Sequence, residues 1–342
     1  MLEVLDGGLL STVQDAGRLD WGHVGVPESG AADPWSRSVA NLLVGNDPAA
    51  ALVELTLVGG TFAALKPTTI GLAGADLGAR IRGGRWLATW RSHRLAAGDI
   101  VDLPGRQTDD AATGRPGHRW TGCRAYLAIP GGIDVPVLLG SRSTCLPGGF
   151  GGLEGRPLQA GDRIGADPGA DVTGTIARSE QIWPTDSERE PPDGRVVLRV
   201  LGPEDPALDA VLAGHWVVGS AADRVGIRLD PADDAALPVE HGRETVSQGV
   251  PWGTIQLPPD GHPIVLGPDH GTTGGYRVLG SVITADRPFL GQLAPGTALR
   301  VERTTRPDAI STLRRQHDAL AAGAATLRDA LAWDALAGEA GG

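Results

Sequence analysis

AALVELTLVGGTFAAL, residues 50–65, is two short runs of apolar and β-branched residues hinged on Gly59-Gly60. Runs of this length with a glycine turn between them read as strands. The same signature recurs at LEVLDGG (2–8), TTIGLAG (68–74), RWLATWRSHRLAAGDIVDL (85–103) and CRAYLAIPGGIDVPVLLG (123–140). Ala97-Gly98-Asp99, Ala160-Gly161-Asp162 and Pro295-Gly296-Thr297 each look like a tight turn feeding a further strand. The 51 Gly and 26 Pro residues fall between such runs and not in one low-complexity block. Turn signals every ~8–12 residues predict a mainly β protein of sandwich or barrel type, not a series of βαβ units.

A chain of 342 residues has room for two lobes. Residues 1–180 are expected to form the first β lobe, and 195–303, opening on RVVLRVLGP, the second. Between them the polar, proline-bearing stretch RSEQIWPTDSEREPPDG (178–194) supplies a linker at 181–194. RQTDDAATGRPGHR (106–119) reads as a mobile loop of the first lobe. From residue 304 the pattern changes. Leu313, Leu320, Leu327 and Leu331 recur at helical spacing, predicting an amphipathic C-terminal helix over 304–342 with a break near Gly323 and a flexible Gly-rich tip. Its stripe suits packing on the chain's own lobe, the commoner fate, or docking to a partner.

Composition removes several function classes. A net charge of −11 argues against non-specific binding to nucleic acid or anionic membranes. Lys66 is the sole Lys and Pro67 follows it, so no P-loop exists. Met1 is the sole Met, so no Met-Lys-Met biotin-carrier site exists either. ATP or biotin, if used, would come with a partner. Cys123 and Cys145 are too few for a disulfide framework or a Cys-rich zinc site, and two buried free thiols are expected. MLEVLDGG lacks the basic and apolar regions of a signal peptide, and no segment has the ~20 apolar residues of a membrane helix. The expectation is a soluble, cytoplasmic protein without a metal.

Two polar, Gly-rich stretches carry the candidate chemistry. STVQDAGRLDWGHVGVPESGAADP (11–34) holds Gln14, Asp15, Arg18, His23, Ser29 and Asp33 on a glycine-punctuated backbone. It runs into DPWSRSVANLLVGNDP (33–48), a helix with Asp33 as N-cap, Pro34 at the first position and Gly45 just past the end. A polar loop delivered onto a helix start favours anions such as carboxylate or phosphate. RETVSQGVPWGTIQLPPDGHPIVLGPDHGTTGGY (243–276) has the same style. It places Gln256 on a strand and Asp269, His270, Thr272, Thr273 and Tyr276 on a loop whose amides suit an oxyanion or carboxylate. A plain hairpin loop capped by Asp and Thr fits that second stretch about equally well. His262 and His270 lack metal-ligand spacing and read as turn residues. Glu54, inside an apolar strand, needs a buried partner, for which Arg18 is the natural candidate.

Taken together, TVQDAGR (12–18), HVGVPESGAADP (23–34), ANLLVGN (40–46), SQGVPWGTIQLPPDGHPIVL (247–266) and TTGGY (272–276) resemble the biotin-dependent carboxyltransferase family. That family includes the C subunit of 5-oxoprolinase, allophanate hydrolase subunit 2 and the Kip-inhibitor antagonist. The resemblance spans residues 2–302. It implies two cyclophilin-like β-barrel lobes with short helices, and a related partner subunit of the oxoprolinase or Kip-inhibitor type. It also implies ATP-dependent opening of 5-oxoproline to glutamate, with ATP, and biotin in carboxylating members, supplied through partner subunits. The alternatives it offers are the allophanate hydrolase or carboxyltransferase component of urea metabolism, and a non-catalytic antagonist that binds a kinase inhibitor. The matching polar positions are Gln14, Asp15, Arg18, Ser29, Asp33, Asn41, Glu54, Gln256, Asp269, Thr272, Thr273 and Tyr276. In the pocket so implied, Arg18 pairs a substrate carboxylate and Asp15 or His23 moves the proton. Ile227 where the family has Tyr, Gly271 where Gln is frequent, and Trp252 where Pro is usual are departures.

Overall fold

The computed structural model describes residues 1–105, 122–166, 195–233, 237 and 246–339, with side chains to residue 327 in the last helix. The stretches that read as a mobile loop (106–119) and a linker (181–194) lie outside the described residues. The chain divides into two compact units. One comprises Met1–Arg18, Ser29–Trp183 and Ala319–Gly342; the other comprises Leu19–Glu28 and Pro184–Asp318.

In the first unit the strands among the described residues form two five-stranded sheets. One runs, edge to edge, through Arg163–Ile164, Leu2–Asp6, Gly60–Ala64, Ile100–Leu103 and Arg80–Ile81. The other runs through Leu10–Gln14, Leu52–Thr56, Arg124–Ala128, Thr68–Gly74 and Arg91–Leu95. One apolar core draws Leu2, Val4, Phe62 and Val101 from the first sheet and Val53, Leu55, Ile70 and Leu127 from the second. Successive residues of a strand face opposite ways, so Leu52 and Tyr126 turn to the other face of the second sheet. There they join a separate core with Val39, Ala40 and Leu43.

The helix Pro34–Leu42 covers that face. Asp33 caps it through Ser36 N at 2.9 Å, Pro34 sits in its first turn, and Gly45 follows in the left-handed region at φ 76°. Gly71 lets the helix approach, because a Cβ there would lie 2.4 Å from Ala40 O and 3.2 Å from Leu43 Cβ. Gly71→Ala is expected to cost about 1–3 kcal/mol, the range for overpacking a filled core. A urea melt of the variant checks it, and an unchanged midpoint would show that the helix lifts without cost.

The second unit contains the closed barrel that the strand pattern predicts. Among the described residues its seven strands run in the order Val196–Leu201, Arg277–Val282, Thr254–Leu257, Ile264–Leu266, Gly226–Pro231, Trp216–Val218 and Ala298–Arg303. Closure pairs Val196–Leu201 with Ala298–Arg303 in parallel. Leu198, Val200, Trp216, Leu229, Ile255, Val265, Leu279 and Leu299 fill it. Gly98, Gly161 and Gly296, the turn glycines of the three repeated signatures, all have positive φ.

The C-terminal helix spans Arg306–Glu339 without the expected break at Gly323. Thr305 opens it, its Oγ1 exchanging hydrogen bonds with Asp308. Gly in a helix interior costs about 1 kcal/mol. Here Gly323 is buried, and Ala324 and Leu327 join the core that holds Val39 and Tyr126, which offsets that cost. Over this part of the helix the stripe faces the chain's own core. No helix among the described residues is long and apolar enough to cross a membrane. Cys123 and Cys145 are buried free thiols, and burial pushes the Cys123 thiol up.

Candidate functional site

The strand Leu10–Gln14 delivers Gln14 and Asp15 to a polar corner built with residues 141–144. Asp15 accepts from Ser141 Oγ (2.6 Å), Ser143 Oγ (2.5 Å) and Gly17 N (2.8 Å) on one oxygen, and from Arg142 N (2.6 Å) on the other. Four donors on one carboxylate occupy most of its acceptor capacity and fix its orientation. Its geometry is that of an anchor for the 141–143 segment. Arg18 is fully buried, donates to the Ser143 carbonyl and lies over the Phe150 ring at 4.9 Å. A Cβ on Gly151 would come within 2.9 Å of its Nη2, so that glycine makes room for the guanidinium. Gln14 Nε2 donates to Thr12 Oγ1 and the Thr144 carbonyl, while its Oε1 is buried without a partner.

Beyond this corner the chain returns through Ser29–Asp33. Glu54, projecting to the helix side of its sheet, accepts from Ala32 N and Tyr126 Oη, both at 2.8 Å. The cation beside it is Arg124, with Nε 3.6 Å from Oε1. Tyr126 Oη in turn accepts from Asp33 N at 2.8 Å. Burial, and then Glu54, push the Tyr126 phenol well above its ordinary range. Asp33 is spent on capping, and Asn41 on the turn after the helix, where it donates to Ala50 O and accepts from Asn46. Ser29 differs from all of these. It is 2% exposed, has φ 53°, and its Oγ has no hydrogen-bond partner. A strained non-glycine backbone with an unspent buried hydroxyl sets Ser29 apart from the saturated groups nearby.

His23 lies elsewhere, in the exposed 3-10 turn Gly22–Val24 that belongs to the second unit. Its Nδ1 is 2.8 Å from Asp20 O and its ring stacks with Trp21 at 6.4 Å.

In the second unit Asp269 is gripped by Arg224 through bonds of 2.7 and 3.1 Å, with both side chains buried. That pair fixes the start of the second polar loop. Thr273–Gly274 then pairs with Gln248–Gly249 as a small ribbon, extended by Val250 N donating to Thr272 O at 3.0 Å. Thr273 and Tyr276 are exposed. Gln256 is buried, its carboxamide lies against Gly274, and its Nε2 has no partner. His270 Nε2 is 2.8 Å from the Val250 carbonyl, an acceptor only, so Nε2 donates there. Its Nδ1 is buried and has no partner. Among the described residues no group of three His, Cys, Asp or Glu side chains is placed to hold a metal ion.

Residues 24–303 match the family model for the carboxyltransferase domain, subdomain A and B. The chain belongs to the carboxyltransferase-domain family. It is 33% identical over 322 residues to the C subunit of 5-oxoprolinase from Escherichia coli (strain K12), an alignment that takes in 92% of this chain and 95% of that protein. The crystal structure of TTHA0988 aligns with a TM-score of 0.73 at 32% identity, over 89% of this chain and 56% of the other. The K. lactis urea amidolyase aligns with a TM-score of 0.78 at 26% identity, over 94% of this chain and 20% of the other. The chain thus spans about half of one solved relative and a fifth of the other.

Within this carboxyltransferase domain the three departures fall in different settings. Ile227 is buried in the barrel wall opposite Val265, where an aliphatic side chain packs directly. Gly271 is exposed, with only Thr273 O near its Cβ position. Trp252 is buried beneath a guanidinium. Reading the sequence misses Ser141, Arg142 and Ser143, although GSRSTCLPGGFGG (140–152) has the same polar, Gly-rich character as the two chosen stretches. It also misses Arg124, Tyr126, Arg224 and Arg287, which carry no local signal. His270, a turn residue by its sequence setting, is a buried side chain held to the Val250 carbonyl.

Proposed function

We propose that this chain is the C-type subunit of a 5-oxoprolinase complex, which opens the lactam of 5-oxoproline to glutamate with ATP handled by partner subunits. The observation that carries this reading is the near end-to-end match with the Escherichia coli relative, 95% of which is covered. The match with urea amidolyase takes in 20% of that chain. The absence of a P-loop from the sequence agrees with ATP being bound elsewhere.

The groups with unspent hydrogen bonds are the substrate-binding candidates. A lactam offers one N–H donor and one carbonyl acceptor. His270 Nδ1, an acceptor when the ring's one proton sits on Nε2, suits the first, and Gln256 Nε2, a buried donor, suits the second. Ser29 Oγ, in the first unit, is a candidate argued from its own surroundings alone. On this reading Asp15, Arg18, Asp33, Asn41, Glu54 and Asp269 position backbone and do not touch substrate. Thr272, Thr273 and Tyr276 contribute the surface of the second loop. His23, in its exposed turn, is given no catalytic task.

Purified alone, the chain is expected to show no ATP-dependent turnover of 5-oxoproline. Co-expressed with a related subunit of the oxoprolinase or Kip-inhibitor type and any further subunit of the complex, it is expected to turn over 5-oxoproline with release of glutamate. A complex that forms without turnover would favour the antagonist reading. Biotin-dependent carboxylation of urea by the complex would favour the urea-metabolism reading.

A further inference from the structure

Trp252 is buried at 5% exposure, and its indole Nε1–H has no hydrogen-bond partner. The Arg287 guanidinium lies on the ring with Cζ 4.6 Å from the centroid, and its Nη2 donates to the Trp252 carbonyl at 3.2 Å. Arg287 Nε is likewise buried without a partner. The pair therefore presents a positive charge and two unspent N–H donors side by side.

Other arginines of this unit are differently placed. Arg224 holds Asp269 through two bonds, and Arg199 holds Asp286 through bonds of 3.1 and 2.7 Å. Among the described residues no carboxylate lies within ion-pair distance of Arg287. Burial depresses its pKa, and Glu28 opposes that by attraction without contact. Arg287 nonetheless keeps part of its surface open to solvent. A mostly buried cation without a counter-ion is costly, and donor-only surroundings suit an incoming anion. A planar carboxylate matches a guanidinium edge.

We propose that Arg287, seated on Trp252, receives the carboxylate of a small-molecule ligand. That the ligand is 5-oxoproline rests on the function proposed above; the carboxylate site itself rests on the geometry of the pair. It takes over the role that the sequence suggests for Arg18, which is enclosed by Phe150, Gly151 and the Ser143 carbonyl.

The test uses the full-length chain labelled with 15N, with the Trp252 indole N–H resonance assigned from Trp252→Phe. The ligands are 5-oxoproline, 2-pyrrolidinone (the same ring without the carboxylate), acetate and inorganic phosphate. A saturable shift with 5-oxoproline and none with 2-pyrrolidinone is expected. Arg287→Met should bind at least tenfold more weakly while melting at or above the parent temperature, since a buried cation without a counter-ion is removed. No shift with either carboxylate, an equal response to 2-pyrrolidinone, or phosphate binding as tightly as carboxylate would overturn the proposal. So would unchanged affinity in Arg287→Met, or a melting point lowered by several degrees, which identifies a structural cation. Binding of acetate but not 5-oxoproline keeps the site and rejects the ligand. Binding of 5-oxoproline by a chain whose assembled complex does not turn it over keeps the site and rejects the oxoprolinase reading.

Discussion

Glu54→Ala is expected to destabilise the first unit by about 3–5 kcal/mol, the cost of breaking a buried ion pair from one side. The carboxylate is 1% exposed, accepts hydrogen bonds from Ala32 N and Tyr126 Oη, and lies 3.6 Å from Arg124 Nε as an ion pair. Arg124 is itself 5% exposed, so removal of Glu54 takes a carboxylate away from a buried guanidinium. It also strands the Ala32 amide, which fixes the turn leading into the Pro34–Leu42 helix. Urea unfolding of the variant reads the effect. The double variant Glu54→Leu/Arg124→Leu should recover much of the loss, because exchanging a buried pair for apolar side chains is often neutral. A loss below about 1 kcal/mol in Glu54→Ala would show that water reaches the pair.

Ser29→Gly should separate stability from function. Residue 29 has a φ of 53°, a conformation that costs an L-residue about 1–2 kcal/mol and glycine almost nothing. The substitution also removes a buried hydroxyl that has no partner. The variant should therefore melt at or above the parent temperature. Turnover of 5-oxoproline by the assembled complex should fall about 10²-fold, the scale of losing one hydrogen bond to the reacting group. Ser29→Ala keeps the strain and removes the hydroxyl, and should lose activity without the gain in stability. Full activity in both variants would take Ser29 out of the site; a lower melting point in Ser29→Gly would remove the argument from strain.

Much of the local structure was legible in the residues themselves. Asp33, Pro34 and Gly45 bound a helix because capping, the fixed proline φ and the left-handed glycine act over one turn of chain. The glycines at 98, 161 and 296 marked turns for the same reason. Strand positions such as 52–56 and 124–128 followed from short apolar runs between breakers. Gly323 mimics a helix break in sequence, because its burial against other elements is not a local property.

The site was legible only as a set of residue types. Gln14, Asp15, Arg18, Ser29, Gln256 and Asp269 stand out in sequence because polar groups beside glycine are unusual among β runs. Which of them are spent could not be read there. Asp15 is saturated by residues up to 128 positions away, and Asp269 by an arginine 45 positions away. Ser29, Gln256 and His270 keep unpaired atoms because no element brings them a partner. The sequence alone determined a mainly β chain with capped helices and polar loops, since those depend on backbone preferences within a few residues. The tertiary structure decided which polar groups anchor and which remain available, because sheet pairing and barrel closure choose the neighbours of a buried atom, and those neighbours decide whether its hydrogen bonds are spent.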